Sequence, residues 1–404
     1  MTVIDLDLQP ARPPVPRARR TRRWRVFFLI ALLLTVGAAA PPGDPMVQVL
    51  AAGGTAAAGF ELGPSELFTA TFGQNPQNEA GVRRYDLSTG AQRWATPVPH
   101  IVQALTYDPQ AGVVLARAGD DPRMTVLDAS DGTALWHLSR GSTWALTVTG
   151  GHVLLRTDAS ATRSVLVLTD ARTGKPVWRR DINPRTDVYD DAARDRIVLV
   201  ELSGRVTTLR FTDGSELGQG EVGSYSTVDV AGDRLYVTTP AMLAAYRMPD
   251  LTLVWKVPSA SAGIVNECGP VVCVSSELGV RGLDAADGEL RWSLPQWRAA
   301  SRRVDGAVVV QTSDGEPDFA EIDPATGTVL RRLGEVWSDP RLRMRLDTVI
   351  PRRIWVQLVD PADNSPHTVG AIDTDAAYGC EVSLPYLACP TAAGPTGVFR
   401  LPIA

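Results

Sequence analysis

Beyond Leu50 the chain has no stretch in which apolar residues return at helical spacing over several turns, and that absence disfavours an α/β fold. Cysteine is scarce. Only Cys268, Cys273, Cys380 and Cys389 occur, and no two are adjacent. Histidine is equally rare, and His100, His137, His152 and His367 stand apart without the spacing of a metal site. No Gly-x-Ser-x-Gly elbow and no phosphate loop is found. Gly218-Gln219-Gly220-Glu221-Val222-Gly223 matches a dinucleotide-binding pattern by letter, but no helix follows that could hold a pyrophosphate. Over most of the chain positive charge is outnumbered by negative. Met1 to Arg25 carries seven Arg against Asp5 and Asp7, a surplus of +5, so a net charge of −5 leaves about −10 on the remainder. An acidic body disfavours nucleic acid as a partner, since backbone binding depends on Lys and Arg displacing counterions.

Only one long apolar run exists, Val26 to Ala40, fifteen uncharged residues directly after the basic cluster Arg17 to Arg25. Its order of basic flank, apolar run and small residues fits a signal anchor, with cleavage after Ala38-Ala39-Ala40 and secretion as the alternative. Pro41 and Pro42 would suit a peptidase poorly, so the uncleaved anchor is favoured. The arginines place the N-terminus in the cytoplasm and everything after the run outside. Arg22-Arg23 is followed by Trp24-Arg25, a poor twin-arginine export signal, and no cysteine supports a lipid anchor. The expected organisation is a basic cytoplasmic tail (1–25), a transmembrane signal anchor (26–45), a flexible linker rich in Ala, Gly and Pro (46–60) and a folded body (61–404).

The chain contains 35 Gly and 30 Pro, mostly between short apolar runs, which favours turns and strands. One phrase returns along it. Asp86, Gly90 and Trp94 are followed by Asp128, Gly132 and Trp136, by Asp170, Gly174 and Trp178, and by Asp284, Gly288 and Trp292. Asp323 and Gly327 repeat it with Arg331 where Trp is expected, and degenerate copies end at Gly214 and Leu251. Positions 90, 132, 174, 214, 251, 288 and 327 are 42, 42, 40, 37, 37 and 39 residues apart. A period near forty with strand-like phrases is the mark of a propeller. Asp can accept hydrogen bonds from turn N–H groups, Gly supplies positive φ, and Trp four residues later lies on the next strand. These indoles, with Trp255, Trp297 and Trp337, are read as wedges between blades rather than a ligand cage. The expectation is an all-β propeller of four-stranded blades, eight favoured and seven possible, with Arg345 to Pro402 supplying the last blade.

The cysteines form two close pairs in the translocated part, where disulfides are expected. If Pro270-Val271 is a two-residue turn, Cys268 falls opposite Cys273; if Leu384-Pro385 is one, Cys380 falls opposite Cys389. Asp120-Asp121 and Asp190-Asp191 read as solvated loops. Arg341, Arg343, Arg345 and Arg352-Arg353 read as a solvated strand edge.

The phrase Asp-x-x-Thr/Asp-Gly-x-x-x-Trp resembles the repeat of pyrroloquinoline-quinone (PQQ) dehydrogenases. It is similar too to that of non-catalytic relatives such as the lipoprotein of the outer-membrane barrel assembly machine. The resemblance covers roughly Glu61 to Pro402. It implies the fold more specifically than the function. The enzymes hold a quinone with calcium, commonly against a vicinal cysteine pair; here that pair is missing, so no catalytic, cofactor-binding or metal-binding residue is carried over. The expected function is a binding or scaffold module for an envelope protein or polymer, not an enzyme and without cofactor. The alternatives are a PQQ- or other cofactor-dependent oxidoreductase and an extracytoplasmic sensor.

Overall fold

A computed structural model describes residues 45–52, 57–71, 81–119, 121–139, 141–258, 263–303, 305–312, 318–334, 341–347, 352–360, 365–374, 379–392 and 394–403. The expected basic tail and nearly all of the expected membrane segment lie outside the described residues.

The body is built almost entirely of antiparallel strands. Ala57–Leu62, Glu66–Thr71, Gly81–Asp86 and Gln92–Pro97 form the first sheet, joined in chain order. The same plan recurs over residues 104–138, 143–182, 186–221, 227–258, 264–294 and 299–334. Strand pleat explains the pattern. Val113–Ala118, Arg196–Glu201 and Val271–Ser276, second strands of their sheets, are buried nearly throughout, whereas fourth strands such as Gln92–Pro97 alternate and face solvent. First strands of successive sheets lie against each other, as Thr227–Ala231 does against Ile264–Cys268, so they form the inner wall.

The last two sheets differ. Leu342–Asp347, Arg353–Val359 and Pro366–Asp373 make a three-stranded blade with no fourth strand among the described residues. The ninth sheet joins both ends of the body: Glu381–Ser383, Tyr386–Pro390 and Thr396–Arg400 receive Val47–Ala52, with Val47 opposite Arg400. Nine blades therefore stand where eight, or seven, were expected. The extra one escaped because it is assembled from opposite ends of the sequence and has no contiguous repeat. Residues 46–60, expected as a linker, contribute that closing strand and the first strand of blade one.

The apolar core is segmented. Phe68, Val82, Trp94, Val102, Leu105, Val114 and Leu127 join blades one and two, and equivalent clusters fill the later seams. At about 25 cal/mol per Å² of apolar area buried, such seams rather than the blades singly hold the ring together.

Candidate functional site

The repeated phrase performs two jobs at every regular seam. Asp86 Oδ1 accepts the N–H groups of Ser88 (2.9 Å) and Thr89 (3.0 Å), and Asp128, Asp170, Asp284 and Asp323 accept the corresponding N–H groups of Ser130, Thr173, Ala286 and Ala325. The Ser130 hydroxyl and N–H, with the Arg172 guanidinium, hold the Asp128 carboxyl down at about 2. Trp94 then reaches across: its Nε1–H donates to Ala129 O (3.0 Å) in the next blade's turn. Trp136, Trp178, Trp255 and Trp292 do the same to Ala171, Phe211, Ala285 and Pro324. Gly132 has φ +79°, and a Cβ there would come within 2.7 Å of the Trp94 ring, so both its backbone and its lack of a side chain are required. Each of these contacts joins one blade to the next. Trp337 lies outside the described residues, and Trp297 is buried with the Arg332 guanidinium 5.5 Å from its ring centroid.

One seam is inverted in size. Blade four has Gly218 where the indole belongs, and Leu251, at φ +54°, stands where the receiving glycine would be. The leucine side chain lies over Gly220 and fills the space an indole fills elsewhere. Gly218-Gln219-Gly220 thus belongs to a solvent-facing fourth strand, Glu216–Glu221, followed by another strand.

Because four antiparallel strands return the chain to its starting end, the phrase turns share one end of the ring with the turns between first and second strands. Backbone bonds confirm it: Ala129 N–H donates to Gly112 O (2.9 Å), Ala171 to Gly151 O (2.9 Å) and Ala285 to Pro270 O (3.2 Å). At this end a cleft of about 730 Å³ crosses blades four to seven. Its chemistry alternates in sign. Arg194 Nη2 meets Glu267 Oε2 at 3.0 Å, and Arg302 Nη1 meets Glu267 Oε1 at 2.8 Å, so one carboxylate is held between two guanidinium groups. Gly232, at φ +60°, lies close against this crossing: a Cβ on it would stand 3.2 Å from Glu267 Oε2. Beneath, buried Arg196 ties Asp191 (2.5 Å) to the Gly232 carbonyl (2.6 Å). Asn266 Nδ2 donates to Ala300 O (2.9 Å), and Asp190 and Arg303 complete the charged lining.

Asp190-Asp191 was read as a solvated loop. Asp190 is exposed, but Asp191 is half-buried and paired with Arg196. The cleft had no signal in the sequence beyond repeated charges at the ends of first strands, because its parts come from four repeats. Arg343 and Arg345 alternate with buried Leu342 and Met344, and Arg353 pairs with Asp373 (2.7 Å). Among the described residues no three His, Cys, Asp or Glu side chains group as metal ligands.

A second set of carboxyls sits on the inner strands. Glu381 Oε2 accepts the Leu62 N–H at 2.7 Å where the last inner strand meets the first. Burial pushes its carboxyl up to about 7; the Leu62 N–H opposes that rise and the Glu61 charge adds to it. Burial likewise raises Glu61 and Asp229, against hydrogen bonds from the Tyr107 and Val265 backbones.

Both cysteine pairs are bridged. Cys380 and Cys389 have Cα atoms 4.3 Å apart across the Leu384-Pro385 turn. Cys268 and Cys273 are 5.8 Å apart, but the turn is Gly269-Pro270, one residue earlier than expected, so Cys268 lies opposite Val271 and the bridge runs diagonally. Gly269, at φ +76°, takes the turn position that favours glycine.

Residues 78–229 and 224–349 match the family described as outer membrane protein assembly factor BamB, which is built of PQQ-type repeats. The chain belongs to that family. Among solved structures, the BamB-type ring is similar to a eukaryotic initiation factor (12% identity, 85% of this chain, 96% of that chain, TM-score 0.58). BamB from Moraxella catarrhalis (15%, 90%, 100%, TM-score 0.47) and a computationally designed protein, Ika8 (14%, 88%, 99%, TM-score 0.48), are also similar. No curated protein matches the chain by sequence.

Proposed function

We propose that this BamB-type propeller is a scaffold that docks other envelope proteins in the cleft of blades four to seven, held outside the membrane by residues 26–45. The observation that carries the reading is the Arg194–Glu267–Arg302 bridge in a cleft whose lining carries three arginines and three carboxylates. Such a surface attracts neither a polyanion nor a simple cation. A protein segment carrying both signs can exchange partners with it charge for charge. Half-exposed ion pairs of this kind contribute about 0–1 kcal/mol to folding, so they are available for recognition. The family's description as an assembly factor supports the same class of work.

The test is a photo-crosslinking residue at Ala193 in the full chain, in native membranes, compared with one at Leu202 on the opposite end. Discrete protein adducts are expected from Ala193 and should fade when Arg302→Glu is added. Adducts from Leu202 alone would place the partner elsewhere. Protease added to wall-stripped cells should remove the propeller; protection of it would reverse the orientation. On this reading no quinone is required, and PQQ with calcium should give no alcohol- or sugar-dependent dye reduction.

A further inference from the structure

Among the described residues blade eight has three strands where the regular blades have four. Its outer strand, Pro366–Asp373, pairs inward with Arg353–Val359, and among the described residues no strand pairs with its outer edge. An open edge presents N–H and C=O groups that accept another strand. This one is already touched: Met46 N–H donates to Val369 O at 3.0 Å. The Met46 side chain also lies over Gly370, as Trp292 of a fourth strand lies over Gly282 of the third. From there the chain turns away, and Val47 pairs with Arg400 of blade nine.

Beside the uncovered end of the edge a cleft of about 600 Å³ remains, between Ala371, Ile372 and Asp373 on one side and Gln48, Ala51 and Phe399 on the other. What fills the equivalent place elsewhere is shown five times in this protein: a fourth strand whose indole crosses to the next blade. The cleft has an apolar floor in Ala371, Ile372 and Phe399, and its charges are the Arg353–Asp373 pair, one of each sign. Pro41, Pro42 and Pro45, directly before Met46, lack the N–H groups a ladder needs. We infer that the outer edge of Pro366–Asp373 receives an extended segment of a partner protein, bearing one large aromatic side chain, that completes blade eight. Backbone bonds to the edge would give affinity and the cleft would select the aromatic residue. The site is separate from the charged cleft and does not depend on it.

The probe is a peptide copying this chain's own fourth strand, residues 288–295, and its Trp292→Ala version, added to the full-length protein. Saturable one-to-one binding is expected, at least tenfold weaker for the Trp292→Ala peptide. A photo-crosslinker at the Ser293 position of the peptide should map to 366–373. In the protein, Ala371→Arg should abolish binding while Leu202→Arg leaves it unchanged. Crosslink mapping on the unaltered protein keeps the inference testable if Ala371→Arg does not fold. Failure to bind, indifference to the indole, or crosslinks mapping elsewhere would overturn it. So would crosslinks from a photoprobe at Asp373 to residues 1–45 of the same chain or to a second copy, since either would show the edge already occupied.

Discussion

Replacing Glu381 by Gln should stabilise the ring above neutral pH and leave it unchanged in mild acid. The carboxyl is the acceptor for the Leu62 N–H at the closure of the inner wall, and a Gln carbonyl can accept the same bond without charge. A shift from 4.5 to about 7 means that folding disfavours the charged form by about 3 kcal/mol at 1.36 kcal/mol per pKa unit. Solvent reaches part of the side chain, so about 1–2 kcal/mol is expected to survive screening. The direction follows from linkage. A raised folded pKa contributes stability that is fully present below 4.5 and is lost as pH rises through about 7. Burial and nearby Glu61 act in the same sense, and no cation contributes to the shift. Urea unfolding of the full-length protein at pH 4.5 and pH 8 is the assay. The Glu381→Gln gain should appear at pH 8 and vanish at pH 4.5. A gain of equal size at both, or a loss at pH 8, would refute the assignment of the shift to burial at the seam.

Trp136→Ala removes both the ring over Gly174 and the hydrogen bond to Ala171 O, and should cost about 3–5 kcal/mol in urea unfolding, read as one transition of the whole ring. Gly218→Ala should destabilise although Ala is the better residue elsewhere, because its Cβ would overlap the Pro249 carbonyl oxygen; thermal unfolding should show the loss, and Leu251→Gly alone should not repair it. Non-reducing mass spectrometry should recover Cys268 joined to Cys273 and Cys380 joined to Cys389, each short bridge contributing about 2 kcal/mol that reduction removes.

What the sequence made legible was whatever a single repeat encodes. Asp128, Gly132 and Trp136 announce a turn and a wedge because the chemistry of each is local, and seven such turns correspond to the seven regular blades. The three-stranded blade was legible only as strand-like sequence within Arg345 to Pro402, read as one last blade, because the phrase sits between third and fourth strands and no fourth strand stands among its described residues. The closing blade was invisible because its strands come from both ends of the body. The charged cleft failed to show for a related reason. Arg194, Glu267 and Arg302 are ordinary surface charges in their own repeats, and only the circular arrangement brings guanidinium groups from two other blades to one carboxylate. The exchange of sizes between Gly218 and Leu251 was half visible: both departures from the phrase could be read, but not that one answers the other.

The shared ninth blade has a consequence for how the protein comes into being. Val47 waits for Arg400, 353 positions later, before its strand has a partner. At ribosomal rates that wait is on the order of tens of seconds, with each completed blade presenting an unclosed flank to the next. Emergence from the synthesis machinery is therefore not assembly. The ring behaves as a clasp whose first half appears early and whose second half appears last, so a nascent chain interrupted before Thr396 can hold seven regular blades and still remain an open, sticky spiral. Any factor that shields Val47–Ala52 during that interval would determine how much of the product closes on itself rather than on its neighbours.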